Sequence, residues 1–173
     1  MKQNNPHILY LLLGSNLGDK KKQMKNAVRL INEIIGQVTR YSSIYETEPW
    51  GFSSEESFLN RALKVSTFHS PEEVMMKIYE IEKTFGRERK EGVYTSRTMD
   101  IDILFYDGVV LISDTLKIPH PRIPDRKFVL VSLNEIAPRM VHPLSGITIK
   151  QLLSECKDTK EVRKFKNKTG IGS

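Results

Sequence analysis

Asp100 and Asp102 stand two residues apart in RTMDIDILFYDG (Arg97–Gly108), a segment whose apolar residues alternate as in a strand. Alternation puts both carboxylates on one face of the sheet. Two residues span roughly 6.6 Å of strand, and at an effective dielectric of about 20 two unit charges that far apart repel by about 2.5 kcal/mol. Such a pair fits one of two tasks. It can simply be solvated or keep a sheet edge from mispairing. It can also offer hard oxygen donors to Mg²⁺, which keeps several waters and is usually held by one or two carboxylates plus substrate phosphates. A divalent ion would remove the repulsion.

The neighbouring segments bear on that choice. Gly86–Ser96 (GRERKEGVYTS) has no apolar periodicity and carries Arg87, Arg89 and Lys90, with Arg97 directly after it. It is either a solvated loop or a lid that brings cations to phosphate, whose oxygens match guanidinium forks. Thr47–Asn60 (TEPWGFSSEESFLN) gathers the only Trp and two Phe residues amid Pro, Gly and Ser. Those rings either fold inward as a satellite cluster or wall a flat ring, in which case Asn60 can pair with the donor and acceptor edge of a heterocycle. In IPHPRIPDRKF, His120, Arg122 and Arg126 lie in a stretch stiffened by Pro119, Pro121 and Pro124. GSNLG (Gly14–Gly18) lacks the Gly-Lys-Ser/Thr of a P-loop, and no G-x-G-x-x-G occurs, so a P-loop kinase and a Rossmann dehydrogenase are not expected.

The elements that must position these residues follow from periodicity. Ile8–Leu13 is a continuous apolar run, the pattern of a buried strand, stopped by Gly14. Asp19–Ile35 has helical spacing at Met24, Ala27, Val28, Ile31, Ile34 and Ile35. Val38–Tyr45 reads as a second strand, Glu46–Ser57 as a loop and Phe58–Thr67 as a third strand. Ser70-Pro71-Glu72-Glu73 gives an N-cap, a proline at the first helical position and a capping-box glutamate, so a second helix begins there and stops at Phe85-Gly86. The fourth strand is the aspartate segment, with Met99, Ile101, Ile103 and Phe105 on its core face. Strand, helix, strand, strand, helix, strand is an α+β, ferredoxin-like βαββαβ order, an antiparallel sheet with helices on one face. A C-terminal extension follows: a hairpin turned at Asp107-Gly108 into Val109–Leu111, a Pro-rich connection, and helices near Phe128–Ile136 and Ile149–Glu155.

The 173 residues suit one domain. No apolar run approaches the ~20 residues of a membrane span, so no membrane partner is expected, and the N-terminus shows no signal peptide. A single cysteine, Cys156, fits a reducing compartment, which points to the cytoplasm. The net charge of +6 suggests nucleic acid, but residues 157–173 hold six Lys and Arg against two acids, leaving +2 for residues 1–156. That stretch reads as a flexible basic tail. No nucleic-acid partner is expected.

Taken together, LGSNLGD, YETEPWG, FLN, the E-x-x-x-x-R-x-R run from Glu82 to Arg89, R-T-x-D-I-D-I-L from Arg97, and PHPR followed by R-K-F resemble the 6-hydroxymethyl-7,8-dihydropterin pyrophosphokinases of folate biosynthesis. The resemblance extends from about Ile8 to Leu153. It implies transfer of pyrophosphate from ATP to the hydroxymethyl group of the dihydropterin, giving the pterin diphosphate and AMP. It implies that Asp100 and Asp102 hold two Mg²⁺ ions with ATP, and that Asp100 also orients the attacking hydroxyl. Arg87 and Arg97 match catalytic lid arginines; Glu82, Arg89, His120 and Arg126 match nucleotide contacts. For the pterin, Thr47, Glu48 and Trp50 match positions offering mainly backbone groups, Asn60 the amide-edge reader, and Phe58 and Phe128 the sandwiching rings. Tyr94-Thr95-Ser96 departs from the family's common Trp-Gly-Pro, which touches lid closure. A monomer with ATP and the pterin as its partners is expected.

Two other readings share parts of this pattern. A ferredoxin-like RNA-binding module needs exposed aromatics on central strands, and Ile8–Leu13 offers only Tyr10. A non-catalytic nucleotide-binding regulator is separated from an enzyme by turnover.

Overall fold

A computed structural model describes residues 4–47, 57–86 and 98–166. β1 (His7–Ser15) is the apolar run, and it is buried along nearly its whole length because it has a strand on each side and helices over each face. α1 (Lys20–Ile34) starts where the Asp19 carboxylate accepts from Lys22 N–H, and it buries Met24, Ala27 and Ile31. α2 (Pro71–Thr84) begins at Ser70 with the expected capping box and buries Val74, Ile78, Ile81 and Glu82.

The expected second strand is two strands. β2 (Gln37–Tyr41) and β3 (Tyr45–Thr47) both pair antiparallel with β4 (Phe58–Thr67), one after the other. The cause is Ser42. Its N–H donates to Ala62 O while its hydroxyl accepts from Ala62 N–H, so a side chain replaces a rung of the ladder. β5 (Asp100–Tyr106) lies on the other side of β1, and with a short late strand β8 (Val162–Lys164) the sheet order is β5-β1-β4-β3-β8, with β2 also on β4. This is the ferredoxin-like sheet with its outer strand split.

Helices cover both faces, not one. Leu9, Leu11 and Leu13 face α1 and α2. Tyr10, Leu12 and Ala62 face α3 (Lys127–Ile136) and α4 (Ile149–Glu155) through Val129, Leu130, Leu133, Ile136, Ile149 and Leu152. The segment beyond Gly108 is thus the second wall of the core. Phe105 also lies on the α3 side, opposite to the side its alternation implies. A register shift opposite Tyr10 and Leu11 inserts Leu104 as an extra residue, so Ile103 pairs with Leu11 and Phe105 with Tyr10.

Asp107-Gly108 does not turn a hairpin onto β5. Asp107, at φ 46°, exchanges backbone N–H for Ile8 O and accepts Ile8 N–H on its carboxylate, so β1 already holds it. The hairpin forms one step later, between β6 (Leu111–Ile112) and β7 (Lys117–Ile118). Within the basic segment, residues 162–165 join the sheet. β8 (Val162–Lys164) pairs with β3, Phe165 N–H donates to Ile44 O, and the Phe165 ring packs on the first core. The open edge of β3 and two apolar anchors outweigh the local charge. Among the described residues no helix is long and apolar enough to cross a membrane.

Candidate active site

Register places the chemistry-bearing residues in one row. Gly14 of β1 pairs with Asp100 on one side and Asn60 on the other, and Asn60 pairs in turn with Tyr45. Directly opposed residues share a face, so Asp100, Gly14, Asn60 and Tyr45 all look toward α3. Asp102 pairs with Leu12 and joins the same face. Both aspartates are half-buried.

The end of α2 fixes this part of β5. Glu82, only 2% exposed, accepts Ile101 N–H at 3.2 Å, between the two aspartates, and Thr98 donates its hydroxyl to Phe85 O. The buried carboxylate therefore locks the backbone from which Asp100 and Asp102 project. Glu82, which the resemblance assigns to the nucleotide, makes this bond to the Ile101 backbone in the fold.

The two aspartates suit Mg²⁺. Their donors are hard carboxylate oxygens, which suit a hard divalent cation. Two carboxylates with the rest of the sphere left to water and phosphate is the Mg²⁺ pattern. Room exists as well. A Cβ built on Gly14 would stand 3.2 Å from Asn60 Oδ1 and 3.9 Å from the Asp100 Cβ, so the glycine keeps open the space between them. Gly14 read in the sequence only as the end of a strand; a glycine within a strand pattern is also a sign of close approach.

Outside β5, a cleft of about 260 Å³ is lined by Ile101, Asp102, Ile103, Leu116, His120 and Pro121, with α2 behind it. His120 N–H donates to Leu104 O, and Arg122 N–H donates to its Nδ1 at 3.1 Å, so the neutral ring carries its proton on Nε2. Burial, and then the Arg126 and Arg122 guanidiniums against an opposing pull from Asp100, push its pKa down to about 4. His120 is therefore a neutral donor across the physiological range. Above pH 6.5 the ring is neutral folded and unfolded; between 6.5 and about 4 the unfolded chain takes up a proton that the folded chain refuses. Stability should accordingly fall as pH falls through that window, by up to about 3 kcal/mol. Urea unfolding of a His120→Asn variant is expected to show a shallower slope between those pH values, and an unchanged slope would refute a buried neutral ring.

The pterin-side residues lie on β3, β4 and α3. Thr47 and Asn60 are each 4% exposed, and the Asn60 amide nitrogen donates to Thr47 Oγ1 at 3.2 Å, which turns Oδ1 over Gly14. Phe58 pairs with Thr47, and Phe128 sits half-buried in the first turn of α3 at the margin of the second core. Arg126 immediately precedes α3 as its N-cap residue. Glu48, Trp50, Arg87, Arg89 and Arg97 lie outside the described residues, as does the Tyr94-Thr95-Ser96 departure.

The model of the 7,8-dihydro-6-hydroxymethylpterin-pyrophosphokinase family matches residues 10–138. The 2-amino-4-hydroxy-6-hydroxymethyldihydropteridine pyrophosphokinase of Aquifex aeolicus is 36% identical over 147 residues, 85% of this chain and 91% of that protein. The enzyme of the same name from Bacillus subtilis is 36% identical over 166 residues, 95% of this chain and 94% of its own. The folic acid synthesis protein FOL1 of Dictyostelium discoideum is 39% identical, but this chain covers only 22% of it. The crystal structure of wild-type Plasmodium falciparum HPPK-DHPS shares the fold, with TM-score 0.73 and 17% identity over 90% of this chain and 45% of that one. With the family model spanning β1 to the end of α3 and single-domain relatives matched over nearly their full length, the chain belongs to the 7,8-dihydro-6-hydroxymethylpterin-pyrophosphokinase family.

Proposed function

We propose that this protein transfers the terminal pyrophosphoryl group of ATP to the hydroxymethyl oxygen of 6-hydroxymethyl-7,8-dihydropterin, with Asp100 and Asp102 holding two Mg²⁺ ions with the nucleotide. The observation that carries the site assignment is the row Asp100, Gly14, Asn60, which puts carboxylates and a heterocycle reader on one face of three adjoining strands. In the reaction the pterin oxygen bonds to the β-phosphorus, the α,β-bridging P–O bond breaks, AMP leaves, and the hydroxyl proton is lost.

Bound Mg²⁺ supplies positive charge against the triphosphate oxygens and the charge that builds during transfer. The chain's own residues do the rest. Asp100 orients the hydroxyl and accepts its proton. His120 and Arg126 bind the nucleotide in the cleft beside β5, and Arg87, Arg89 and Arg97 supply cations for the phosphates. Asn60, steadied by Thr47, hydrogen-bonds the heterocycle edge, Thr47, Glu48 and Trp50 offer backbone groups, and Phe58 and Phe128 stack on its faces. Precise placement of two substrates is the larger part of catalysis in phosphoryl transfer.

The test is AMP formation followed by coupled assay. AMP should appear only when ATP, Mg²⁺ and hydroxymethyldihydropterin are all present. ATP binding without any pterin-dependent AMP would instead support a nucleotide-binding regulator.

A further inference from the structure

The carboxylate of Glu135 joins two parts of the molecule that contribute separately to the heterocycle site. Glu135 is on α3, seven residues beyond Phe128, which is two helical turns along and returns to nearly the same face. Its Oε1 accepts Ser43 N–H at 3.0 Å and the Ser43 hydroxyl at 2.8 Å, and its Oε2 accepts the Tyr45 hydroxyl at 2.5 Å. The Arg40 guanidinium adds a bond to Ile136 O at 3.0 Å. One end of α3 thus carries a ring wall, and the other end is fastened to the junction of β2 and β3.

That junction is where fastening matters. β3 is only three residues long, and Ser42 has already interrupted the ladder between β2 and β4. Tyr45 pairs with Asn60, and Thr47, two residues on and facing the same way, accepts from the Asn60 amide. Moving β3 relative to α3 therefore moves Thr47 and Asn60 relative to Phe128. The charge state suits a permanent clamp. Burial opposes ionisation of Glu135, but the bonds from Tyr45 and Ser43 and the nearby Lys164 hold its pKa below the ordinary carboxylate value. Burial first, and then the hydrogen bond and charge of Glu135, raise the Tyr45 pKa, so the phenol stays a donor.

We infer that Glu135 is a positioning residue for the heterocycle, setting the gap between the Thr47–Asn60 pair and Phe128 without touching substrate. The inference rests on the pyrophosphokinase reading. Its signature is a split in kinetic constants: loss of binding geometry on one substrate raises that KM and leaves the other substrate and kcat alone.

Glu135→Ala, Glu135→Gln and Tyr45→Phe are assayed at a temperature well below each variant's melting midpoint. Glu135→Ala is expected to raise KM for hydroxymethyldihydropterin about tenfold, with KM for ATP and kcat within about twofold of wild type. Glu135→Gln, which keeps an oxygen for Ser43, should recover part of that loss. Tyr45→Phe, which removes one of the three bonds, should raise the same KM by a smaller factor, and it decides the matter if Glu135→Ala does not fold. A lowered melting temperature with unchanged KM for the pterin overturns the inference, as does a uniform change in both KM values and kcat. Wild-type protein that forms no AMP overturns the pyrophosphokinase reading and this inference with it, whereas an active wild type with an unaltered pterin KM in all three variants overturns the inference alone.

Discussion

Asp102→Asn is expected to lower kcat by about a thousandfold or more while leaving the fold intact, a loss of the size seen when one essential electrostatic contact is removed from a transition state. Asparagine keeps the shape and one oxygen but surrenders the charge that a hard divalent cation requires. The side chain sits half-buried opposite Leu12, on the strand that Glu82 locks at Ile101. Removing one of two like charges about 6.6 Å apart also relieves a repulsion of about 2.5 kcal/mol at an effective dielectric of about 20. Turnover within tenfold of wild type, measured as AMP formation at saturating substrates, would remove Asp102 from the metal site.

Gly36→Ala should lower stability by about 3 kcal/mol, within the range that overpacking of a closed site produces. A Cβ there would stand 2.2 Å from Ser66 O and 3.0 Å from both Ser66 C and the Thr67 Cα, all of them backbone atoms that cannot turn aside. The requirement is for space. Gly36 follows α1, donates to Ile31 O, and leads directly into the pairing of Gln37 with Ser66. Relief means pulling the junction of α1 and β2 away from β4, which also strains the bond from the Thr67 hydroxyl to Ile35 O. For a chain of this size the loss corresponds to a fall of about 6–12 °C in melting temperature. Ser66 lies six residues along β4 from Asn60, so catalytic constants measured in the cold should stay near wild type. A melting shift under about 2 °C would show that β4 yields more readily than its pairing suggests.

Much of this molecule is written locally. The capping box at Ser70 and Glu73 starts α2 where the sequence says, and the apolar residues of Asp19–Ile35 are the ones α1 buries. The aspartates share a face because alternation over Asp100–Ile103 is undisturbed. What escaped was decided by partners far away in sequence. No residue type announces that Leu104 bulges, because Leu104 and Phe105 are both apolar and either face would accept them. β8 hides among lysines because an edge strand with exposed side chains needs only backbone bonds to join a sheet. Gly14 acquires its meaning from Asp100 and Asn60 on either side of it, and Glu135 from Ser43 and Tyr45 some ninety residues earlier. The two-sided burial of β1 was visible as an unbroken apolar run, yet the helices that cover its second face lay in the extension beyond Gly108.

The row from Asp100 through Gly14 to Asn60 acts as a gauge. Its length is two inter-strand spacings, about 9.6 Å, and main-chain hydrogen bonds set that length whatever the side chains are. On the pyrophosphokinase reading proposed above, the separation between phosphate donor and pterin acceptor is thereby delegated to the peptide backbone, the part of the chain that substitution cannot edit. Side chains may drift along β1 without altering the span, while a single inserted or deleted residue would slide the carboxylates past the reader and spoil it. The Leu104 bulge falls on the far side of Asp102 from this row, so the irregularity that rotates Phe105 into the core leaves the calibrated end of the sheet untouched.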